Sequence, residues 1–417
     1  MVSLIAWLKD TCGNRFNIWF AAGLSLLLVT LISSCEDPGV VGSGFVETGA
    51  EVNLDTLKVD DFKVESGFPV FTGNKPYLSV GAYNDQLFGD LTATGVIKPV
   101  VSQSVDTLHP DASFGLELGI STANVYGDTT STTTVELVEM AEPWRGVAWK
   151  IDSDVPVSDN VVATADINME DSLVIDLPDS WYQKYREYFY ENPNTRDSLY
   201  RYNFKGLALR PVDGNKIVAI NASKTSFVFQ NPGDTVKTEL DISGWGYSLD
   251  RQNVPTLPDS LDRIYSTQEN AVNFIFESDR ETLGSENIAR GEMVFDVDRE
   301  RMRNSLPGNH VRPTPDIMGL YLHDPKDLKY SLSTFNTAFE VQLDSVDYTF
   351  RFDLTRYVNQ QLFVQPSSDR FIGALLSTND MNENDGIIRS TVLSNPKARY
   401  TYPRLLLTFV NSDIESN

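Results

Sequence analysis

Short segments in which apolar and polar residues alternate dominate the chain beyond residue 50, and this period of two limits the fold most. Clear cases are the segments 132–139, 227–229 and 339–343. Successive side chains of a strand point to opposite faces, so alternation predicts a sheet with one apolar face. Clusters of turn-forming residues, such as 213–215 and 231–234, separate these segments. We therefore predict an all-β chain of antiparallel, jelly-roll-like sandwiches with a few short helices.

One helix interrupts the strand pattern. Segment 178–180 supplies an N-terminal cap, and the aromatic-rich segment 181–190 follows it. Within that segment, Trp181, Tyr185 and Tyr188 recur at helical spacing and share one face. We expect that face to pack against the core.

The chain also contains weak internal similarity, which indicates two tandem sandwiches. The matched segments are 93–95 with 289–291, 115–118 with 319–322, 135–137 with 339–341, 175–177 with 352–354, 206–209 with 373–376, and the strand at Phe229 with the strand at Phe409. We predict a first sandwich at 51–240, a junction at 241–285 and a second sandwich at 286–412.

The first 34 residues have the pattern of an export signal. Two cations, Lys9 and Arg15, precede an apolar stretch that ends in Ser34 and Cys35. This ending resembles the lipobox of bacterial lipoproteins, in which cleavage leaves the cysteine as a fatty-acylated (palmitate-type) first residue. An uncleaved membrane anchor is the alternative, since 19 apolar residues can span a bilayer. We predict a signal peptide at 1–34 and a lipid anchor on Cys35, because the cysteine lies where an A-x-A cleavage site would otherwise be needed. Several acyl chains on one residue make such an anchor effectively permanent.

A flexible tether at 35–50 follows the anchor. It is rich in glycine and begins with Glu36 and Asp37. That acidic pair resembles the signal that sends Bacteroidota-type lipoproteins to the outer face of the outer membrane. We therefore expect a protein lipid-anchored to the outer membrane, on its extracellular face.

A second motif indicates export. Asp-Ser/Thr before a small or aliphatic residue resembles an O-glycosylation acceptor of exported Bacteroidota-type proteins. The hydroxyl residues in this motif are Thr56, Thr107, Thr129, Ser172, Ser198, Thr235, Ser260 and Ser345. The chain's own residue frequencies predict only about two such triplets. Turns that lead into strands also use these residues, so both interpretations stay open.

Charge and cysteine content exclude several classes. The chain has 58 acidic and 34 basic residues, a net charge of −24, so it repels phosphate backbones and we expect no nucleic-acid partner. Cys12 leaves with the signal, and Cys35 is then the remaining cysteine of the chain. Disulfides are therefore excluded in the mature chain, which must rely on a sizeable core.

Several motifs resemble known protein families. Segments 353–355, 373–376 and 402–405 are similar to the jelly-roll modules of secreted bacterial adhesins and glycan-degrading proteins. Segments 81–89 and 204–207, with 126–128, resemble an uncharacterised family of Bacteroidota-type outer-membrane lipoproteins, a domain of unknown function. Gln86 departs from that family, which often has proline there. The resemblance implies a fold and a location but no catalytic residues.

The inventory of catalytic motifs is short. Three histidines, His109, His310 and His323, lie beside loop-forming residues, and the sequence has no nucleophile elbow, metalloprotease helix or phosphate-binding loop. We therefore expect no enzyme activity and no catalytic residues. A glycosidase needs only two carboxylates, which an acidic chain supplies readily, so a polysaccharide hydrolase stays an alternative.

One acidic loop, 380–386, resembles a calcium loop. Its ligand candidates are Asp380, Asn382, Asn384 and Asp385. Oxygen ligands at alternate positions suit Ca²⁺, but the glycine lies one place late for an EF-hand. A solvated hairpin turn explains the same residues. We expect no cofactor beyond a structural Ca²⁺ in this loop, if any.

Aromatic residues supply the candidate binding sites. Trp245 and Tyr247 alternate with glycines, which can leave a ring exposed for stacking on a sugar. Trp144 and Trp149 are further candidates, although tryptophans often fill the interior of a sandwich. We expect a non-enzymatic surface lipoprotein that binds an extracellular glycan or another macromolecule. The alternative is an accessory subunit docked on an outer-membrane barrel protein.

Overall fold

The computed structural model describes residues 50–59, 61–99, 109–190, 203–265, 269–277, 288–322, 339–363, 370–378 and 385–412. Strands account for 58% of the described residues and helices for 9%, which confirms the predicted all-β class. The predicted signal peptide, Cys35, nearly all of the tether and His323 lie outside the described residues. Residues Leu54–Phe409 form one compact unit. A second unit joins Met1–Asn53 with Val410–Asn417, of which only 50–53 and 410–412 are described.

The elements follow one another with short connections. The first eleven strands are β1 Ala50–Lys58, β2 Asp61–Ser66, β3 Tyr77–Asp85, β4 Gly89–Pro99, β5 Ser113–Asp128, β6 Thr133–Met140, β7 Val157–Ile167, β8 Ser172–Leu177, β9 Leu207–Asp213, β10 Lys216–Gln230 and β11 Thr238–Gln252. The others are β12 Leu261–Tyr265, β13 Asn270–Glu277, β14 Ile288–Asp296, β15 His310–Val311, β16 Ile317–Leu322, β17 Phe339–Gln342, β18 Thr349–Asp353, β19 Arg370–Thr378, β20 Ser390–Ser394 and β21 Arg404–Ser412. The helices are α1 Asp179–Tyr190, α2 Arg299–Asn304 and α3 Thr355–Phe363, with a 3₁₀ turn at Gly146–Ala148.

Strands β3 to β11, with the two-residue β15 at the edge of β5, form one sheet that folds over on itself, and β3 to β11 are called here the N-terminal sandwich. One layer has the order β8, β5, β10, and the other has the order β4, β9, β6, β7. Strands β3 and β11 each pair with β10 in one layer and with β4 in the other, so they connect the layers. Buried apolar side chains such as Leu116, Leu137 and Phe227 fill the space between.

Two further sheets form the C-terminal sandwich. One has the order β1, β21, β14, β18, and the other β17, β16, β19, β13, β2. Phe295 of the first sheet lies 5.3 Å, centroid to centroid, from Phe274 of the second. These rings belong to a separate buried cluster that also contains Phe352 and Leu320. Each sandwich therefore has its own core.

Both sandwiches repeat one pattern of strand pairing. Five antiparallel pairs of the first recur in the second: β4·β9 as β13·β19, β5·β8 as β14·β18, β5·β10 as β14·β21, β6·β9 as β16·β19, and β6·β7 as β16·β17. A helix follows β8 and β18 alike. The segments predicted to match β8, β9 and β10 lie at β18, β19 and β21, which are the equivalent strands. The segments predicted to match β4, β5 and β6 lie on β14, β16 and β17, whereas the equivalent strands are β13, β14 and β16. These three matches are therefore displaced by one strand, because β13 was skipped.

The first two strands complete the C-terminal sandwich, although they precede the N-terminal sandwich in the chain. β2 pairs with β13, where Val64 lies opposite Val272. β1 is a neighbour of β21. The predicted first sandwich, 51–240, contains both strands in sequence, but their hydrogen bonds go to strands more than 200 residues away. Residues 77–252 are thus inserted between two parts of the C-terminal sandwich.

Helix α1 confirms the predicted helix and its packing face. Trp181 and Tyr185 are buried and join the core of the N-terminal sandwich, and Tyr188 packs at its edge. Trp181 lies 5.7 Å from Phe114, measured between ring centroids. The helix therefore closes one end of this sandwich.

Candidate functional site

The two aromatic residues predicted on β11 face the interior. Tyr247 is 0% exposed, and Trp245 packs against the same core. The Nε1 of Trp245 donates a hydrogen bond to the carbonyl oxygen of Lys75. The expectation that the neighbouring glycines leave Tyr247 open for stacking is wrong, because its ring lies between the two layers.

The glycines serve a different purpose on the opposite face of β11. A Cβ on Gly246 would lie 2.9 Å from Cδ1 of Trp149, and one on Gly244 would lie 3.7 Å from the ring of Trp144. Side chains of alternate residues in a strand share a face. Gly244 and Gly246 therefore make room for two indole rings that cover the outer surface of the sheet.

Those two tryptophans differ in exposure. Trp149 is only 6% exposed, so it offers little surface to a ligand, whereas Trp144 is half-buried. Their ring centroids are 5.2 Å apart, edge to face. Trp144 Nε1 donates to the carbonyl oxygen of Lys205 (2.6 Å), and Trp149 Nε1 donates to Ser248 Oγ (3.2 Å). Both rings are therefore held in place before any ligand arrives.

Two exposed apolar side chains, one in the 3₁₀ turn and one in the segment against it, were missed in the sequence. Phe71 is 43% exposed, and Val147, in the 3₁₀ turn, is 69% exposed. Segment 71–74 lies against this turn, because the backbone N–H groups of Thr72 and Gly73 both donate to the carbonyl oxygen of Trp149. Phe71, Trp144 and Val147 are called the aromatic patch below. Neither segment alternates or forms a recognisable motif, so the sequence carried no signal for Phe71 and Val147.

The aromatic patch has charged groups at its margin. The Lys150 ammonium lies 5.8 Å from the centroid of the Phe71 ring, close enough for a cation–π contact. Arg145, also exposed, directly follows Trp144. Rigid aromatic rings with a polar rim provide contact area at little conformational cost, which suits recognition of a partner.

Asp385 is the one described ligand candidate of the predicted calcium loop; Asp380, Asn382 and Asn384 lie outside the described residues. Both of its carboxylate oxygens accept hydrogen bonds from Arg389, each at 2.9 Å. Its backbone carbonyl accepts from the N–H of Tyr77. Asp385 thus joins this loop to β3, and no group of three or more acidic, histidine or cysteine side chains suited to a metal occurs in the described residues.

A buried ion pair connects the two sandwiches. Asp85, at the end of β3, accepts from Nε and Nη2 of Arg312, both at 2.7 Å, and both side chains are almost fully buried. Tyr126 OH also donates to Asp85, at 2.9 Å. Burial, together with the Asp85 charge, raises the pKa of the Tyr126 phenol well above its ordinary value. Burial alone would lower the pKa of Arg312, but its hydrogen bonds to Asp85 raise it.

His310 lies beside this pair. Its Nδ1 is 2.9 Å from the hydroxyl of Tyr83, and its Nε2 is 3.9 Å from Asp128. Burial, then the charge of Asp85, raises the pKa of Tyr83 to about 12. The neutral phenol acts as a hydrogen-bonding contact between the sandwiches. His109 is exposed at the far end of the N-terminal sandwich.

A cleft of about 730 Å³ is relevant to the hydrolase alternative. It lies beside segment 254–263, and Asp259 and Asp262 line it. Asp262 accepts a hydrogen bond from Nδ2 of Asn395, which also donates to the carbonyl oxygen of Asp259. These contacts give Asp262 a structural role in joining segment 254–263 to β20.

The described hydroxyls of the Asp-Ser/Thr motif divide by exposure. Thr56, Ser172, Thr235 and Ser345 are exposed, while Thr129 and Ser260 are half-buried. In two motifs the aspartate forms a turn: Asp128 Oδ1 accepts from the N–H of Thr130, and Asp344 Oδ1 from that of Val346. The turn interpretation of the motif is therefore confirmed at these two positions, and glycosylation stays a prediction.

Comparisons with known proteins give no family. No protein-family model and no curated protein matches the chain. Tandem CBM51 modules of a family 98 glycoside hydrolase from Streptococcus pneumoniae are 7% identical, with a TM-score of 0.12, over 87% of this chain and all of that one. The VP2 subviral particle of infectious bursal disease virus is 12% identical, with a TM-score of 0.11, over 86% of this chain and 75% of that one. Such low scores carry no argument about fold or function.

No helix in the described part of the chain is long and apolar enough to cross a bilayer.

Proposed function

We propose that the protein is a non-enzymatic lipoprotein, anchored through Cys35 to the extracellular face of the outer membrane, that binds an extracellular glycan. The aromatic patch carries this proposal, since Phe71 and Val147 are exposed on two segments that are hydrogen-bonded to each other, and Trp144, on the second segment, is half-buried. Aromatic side chains dominate the energetics of binding surfaces. The anchor itself is supported by the lipobox-like ending at Cys35.

Three features support a glycan as the ligand. The Trp144 ring is fixed through its own N–H, so binding does not have to order it. Phe71 is 43% exposed, and Lys150 and Arg145 supply donors at the margin. Sugars combine apolar C–H faces with hydroxyl groups, and such a surface matches both.

Glycan-array screening followed by calorimetry tests this function. Phe71→Ala should weaken binding about tenfold or more, because truncating an aromatic anchor removes its contact area. Phe71 is at the surface, so the variant should keep the tryptophan fluorescence of the wild type. Val236→Ala is the matched control, since Val236 is exposed outside the patch.

Two outcomes would contradict the proposal. Binding of no glycan above background would refute the glycan function, and recovery of a barrel protein by crosslinking in cells would favour the docking alternative. Equal affinity of the Phe71→Ala variant and the wild type for a bound glycan would remove the aromatic patch as its site.

A further inference from the structure

The two ends of the C-terminal sandwich are distinguishable by strand direction. In the antiparallel pair of β14 and β21, Ile288 lies opposite Phe409 at one end, and Val294 lies opposite Arg404 nearer the other. The N–H of Val59, just after β1, donates to the carbonyl oxygen of Pro403, just before β21. β1 therefore ends where β21 begins, and its first half lies toward Ile288. This end is called the base.

The opposite end of the C-terminal sandwich carries the N-terminal sandwich. β14 ends at Asp296, and the following segment, with α2 and β15, leads to the contact between the two sandwiches, which is called the junction from here on. There Arg312 binds Asp85, and His310 pairs with Asp128 of β5. From Ile288 to Asp296 a nine-residue strand covers about 30 Å. The base is thus separated from the junction by the length of the sandwich.

The N-terminal sandwich continues away from the junction. Lys216, at the start of β10, lies opposite Gly127, next to the His310 pairing, whereas Gln230, at its end, lies opposite Ser113. A strand of this length spans about 50 Å. The loops 109–112 and 231–237 therefore lie at the end remote from the junction, called here the tip. Val236 in the tip is 74% exposed.

The described part of the chain begins at the base, with β1. Residues 50–66 are strands of the C-terminal sandwich, so whatever holds the N-terminus also holds this sandwich. A random coil of 15 residues, the length of chain from Cys35 to Ala50, has a root-mean-square span of about 20 Å, less than the length of either sandwich. An anchor at Cys35 is therefore short enough to keep the base near the surface to which it is attached.

We propose that the base faces the lipid leaflet and that the tip and the aromatic patch are held away from it. This inference rests on the proposed acylation of Cys35. The outward module is then the inserted one, residues 77–252, even though it comes first in the sequence. The aromatic patch contacts β11 near Trp245, which lies opposite Ile97 of β4. Ile97 is eight residues from Gly89, the end of β4 at the junction, and a strand of that length covers about 25 Å. It is positioned to meet glycan chains that do not lie against the membrane.

Energy transfer to a membrane dye tests this orientation. The mature, acylated chain has no free thiol, so single cysteines can be placed by Ala289→Cys near the base, Val346→Cys near the junction end of the C-terminal sandwich and Val236→Cys in the tip. All three positions are exposed. Each labelled protein is bound to vesicles that contain an acceptor lipid. The transfer efficiency should decrease in the order 289, 346, 236.

The outcomes separate this inference from the function on which it rests. Binding to vesicles with equal transfer from positions 289 and 236 would show a molecule lying flat and would overturn the orientation alone. Highest transfer from position 236 would overturn it as well. Failure of the purified full-length protein to bind vesicles would refute the Cys35 anchor, and the orientation with it.

Discussion

The buried Asp85–Arg312 pair should control how firmly the two sandwiches are joined. Asp85→Asn removes one charge and leaves the guanidinium of Arg312, 1% exposed, without its counter-ion. The substituted amide oxygen still accepts from the N–H groups of Leu87 and Phe88, which now donate to Oδ1 of Asp85. The amide nitrogen then replaces Oδ2, so the change removes the charge together with the acceptor of Arg312 Nε and Tyr126 OH. Removing one partner of a buried pair costs about 3–5 kcal/mol, a large part of a typical stability.

The tryptophans provide a selective assay. All four that follow the signal peptide, Trp144, Trp149, Trp181 and Trp245, belong to the N-terminal sandwich. Urea unfolding followed by tryptophan fluorescence therefore reports that sandwich, and far-ultraviolet circular dichroism reports both. In the wild type we expect the two transitions to coincide. In Asp85→Asn the stability should fall and the transitions should separate, since the junction has lost its main polar contact.

Two further variants complete this test. Arg312→Met in the Asp85→Asn background leaves no unpaired charge and should recover part of the loss. Arg290→Gln is the control, because it breaks a surface pair with Glu292 in which the arginine is 65% exposed, and it should not change the midpoint. Coincident transitions and unchanged stability in Asp85→Asn would refute the assigned role of the pair.

Three other results are expected. Gly73→Ala should destabilise the N-terminal sandwich by about 1–3 kcal/mol in urea unfolding, because its Cβ would overlap the carbonyl oxygen of Gly146, whereas Gly308→Ala, with open space around it, should have little effect. The free energy of unfolding should fall as the pH rises from 10 toward 12, because the pKa of Tyr83 is near 10 in the unfolded chain and about 12 in the folded one. The Tyr83→Phe variant should lose less stability over this pH range. An equal loss in the variant and the wild type would contradict this role of Tyr83. Deleting residues 50–66 should lower the midpoint of the circular dichroism transition and leave the fluorescence transition nearly unchanged, because β13 and β21 lose neighbouring strands.

Local features of the fold were predictable from the sequence. Alternation located strands such as β6 and β10, and turn chemistry located the connections between β9 and β10 and between β10 and β11. The cap and aromatic spacing located α1 and its buried face. These signals depend on neighbouring residues only, so a single sequence contains them.

Pairing between distant strands was not predictable in this way. Strands β1 and β2 alternate like their neighbours, and nothing local distinguishes a partner in β4 from one in β13. The Asp85–Arg312 pair joins residues 227 positions apart, and two charges in so charged a chain give no signal of their contact. The predicted matches between the two sandwiches were displaced by one strand for β4, β5 and β6. Local sequence gives no information on strand pairing, so a segment such as β13 is easily skipped.

The candidate site shows a second limit. A glycine beside an aromatic residue either exposes that ring or makes room for another, and the sequence does not distinguish these cases. Gly246 makes room for Trp149, which buries one predicted ligand-binding ring and leaves Tyr247 inside the core. The exposed Phe71 and Val147 lie in irregular segments, where periodicity gives no information on burial.

A crosslink between β2 and β13 tests the central claim, that the N-terminal strands complete the C-terminal sandwich, most directly. Val64 and Val272 are opposite each other in the antiparallel pair, at a separation that suits a disulfide, and no other free thiol competes in the acylated chain. Peptide mapping should find a disulfide in the Val64→Cys/Val272→Cys variant and none in the Val64→Cys/Val236→Cys control. Absence of the first crosslink in the folded protein, or equal yields from both variants, would contradict the account.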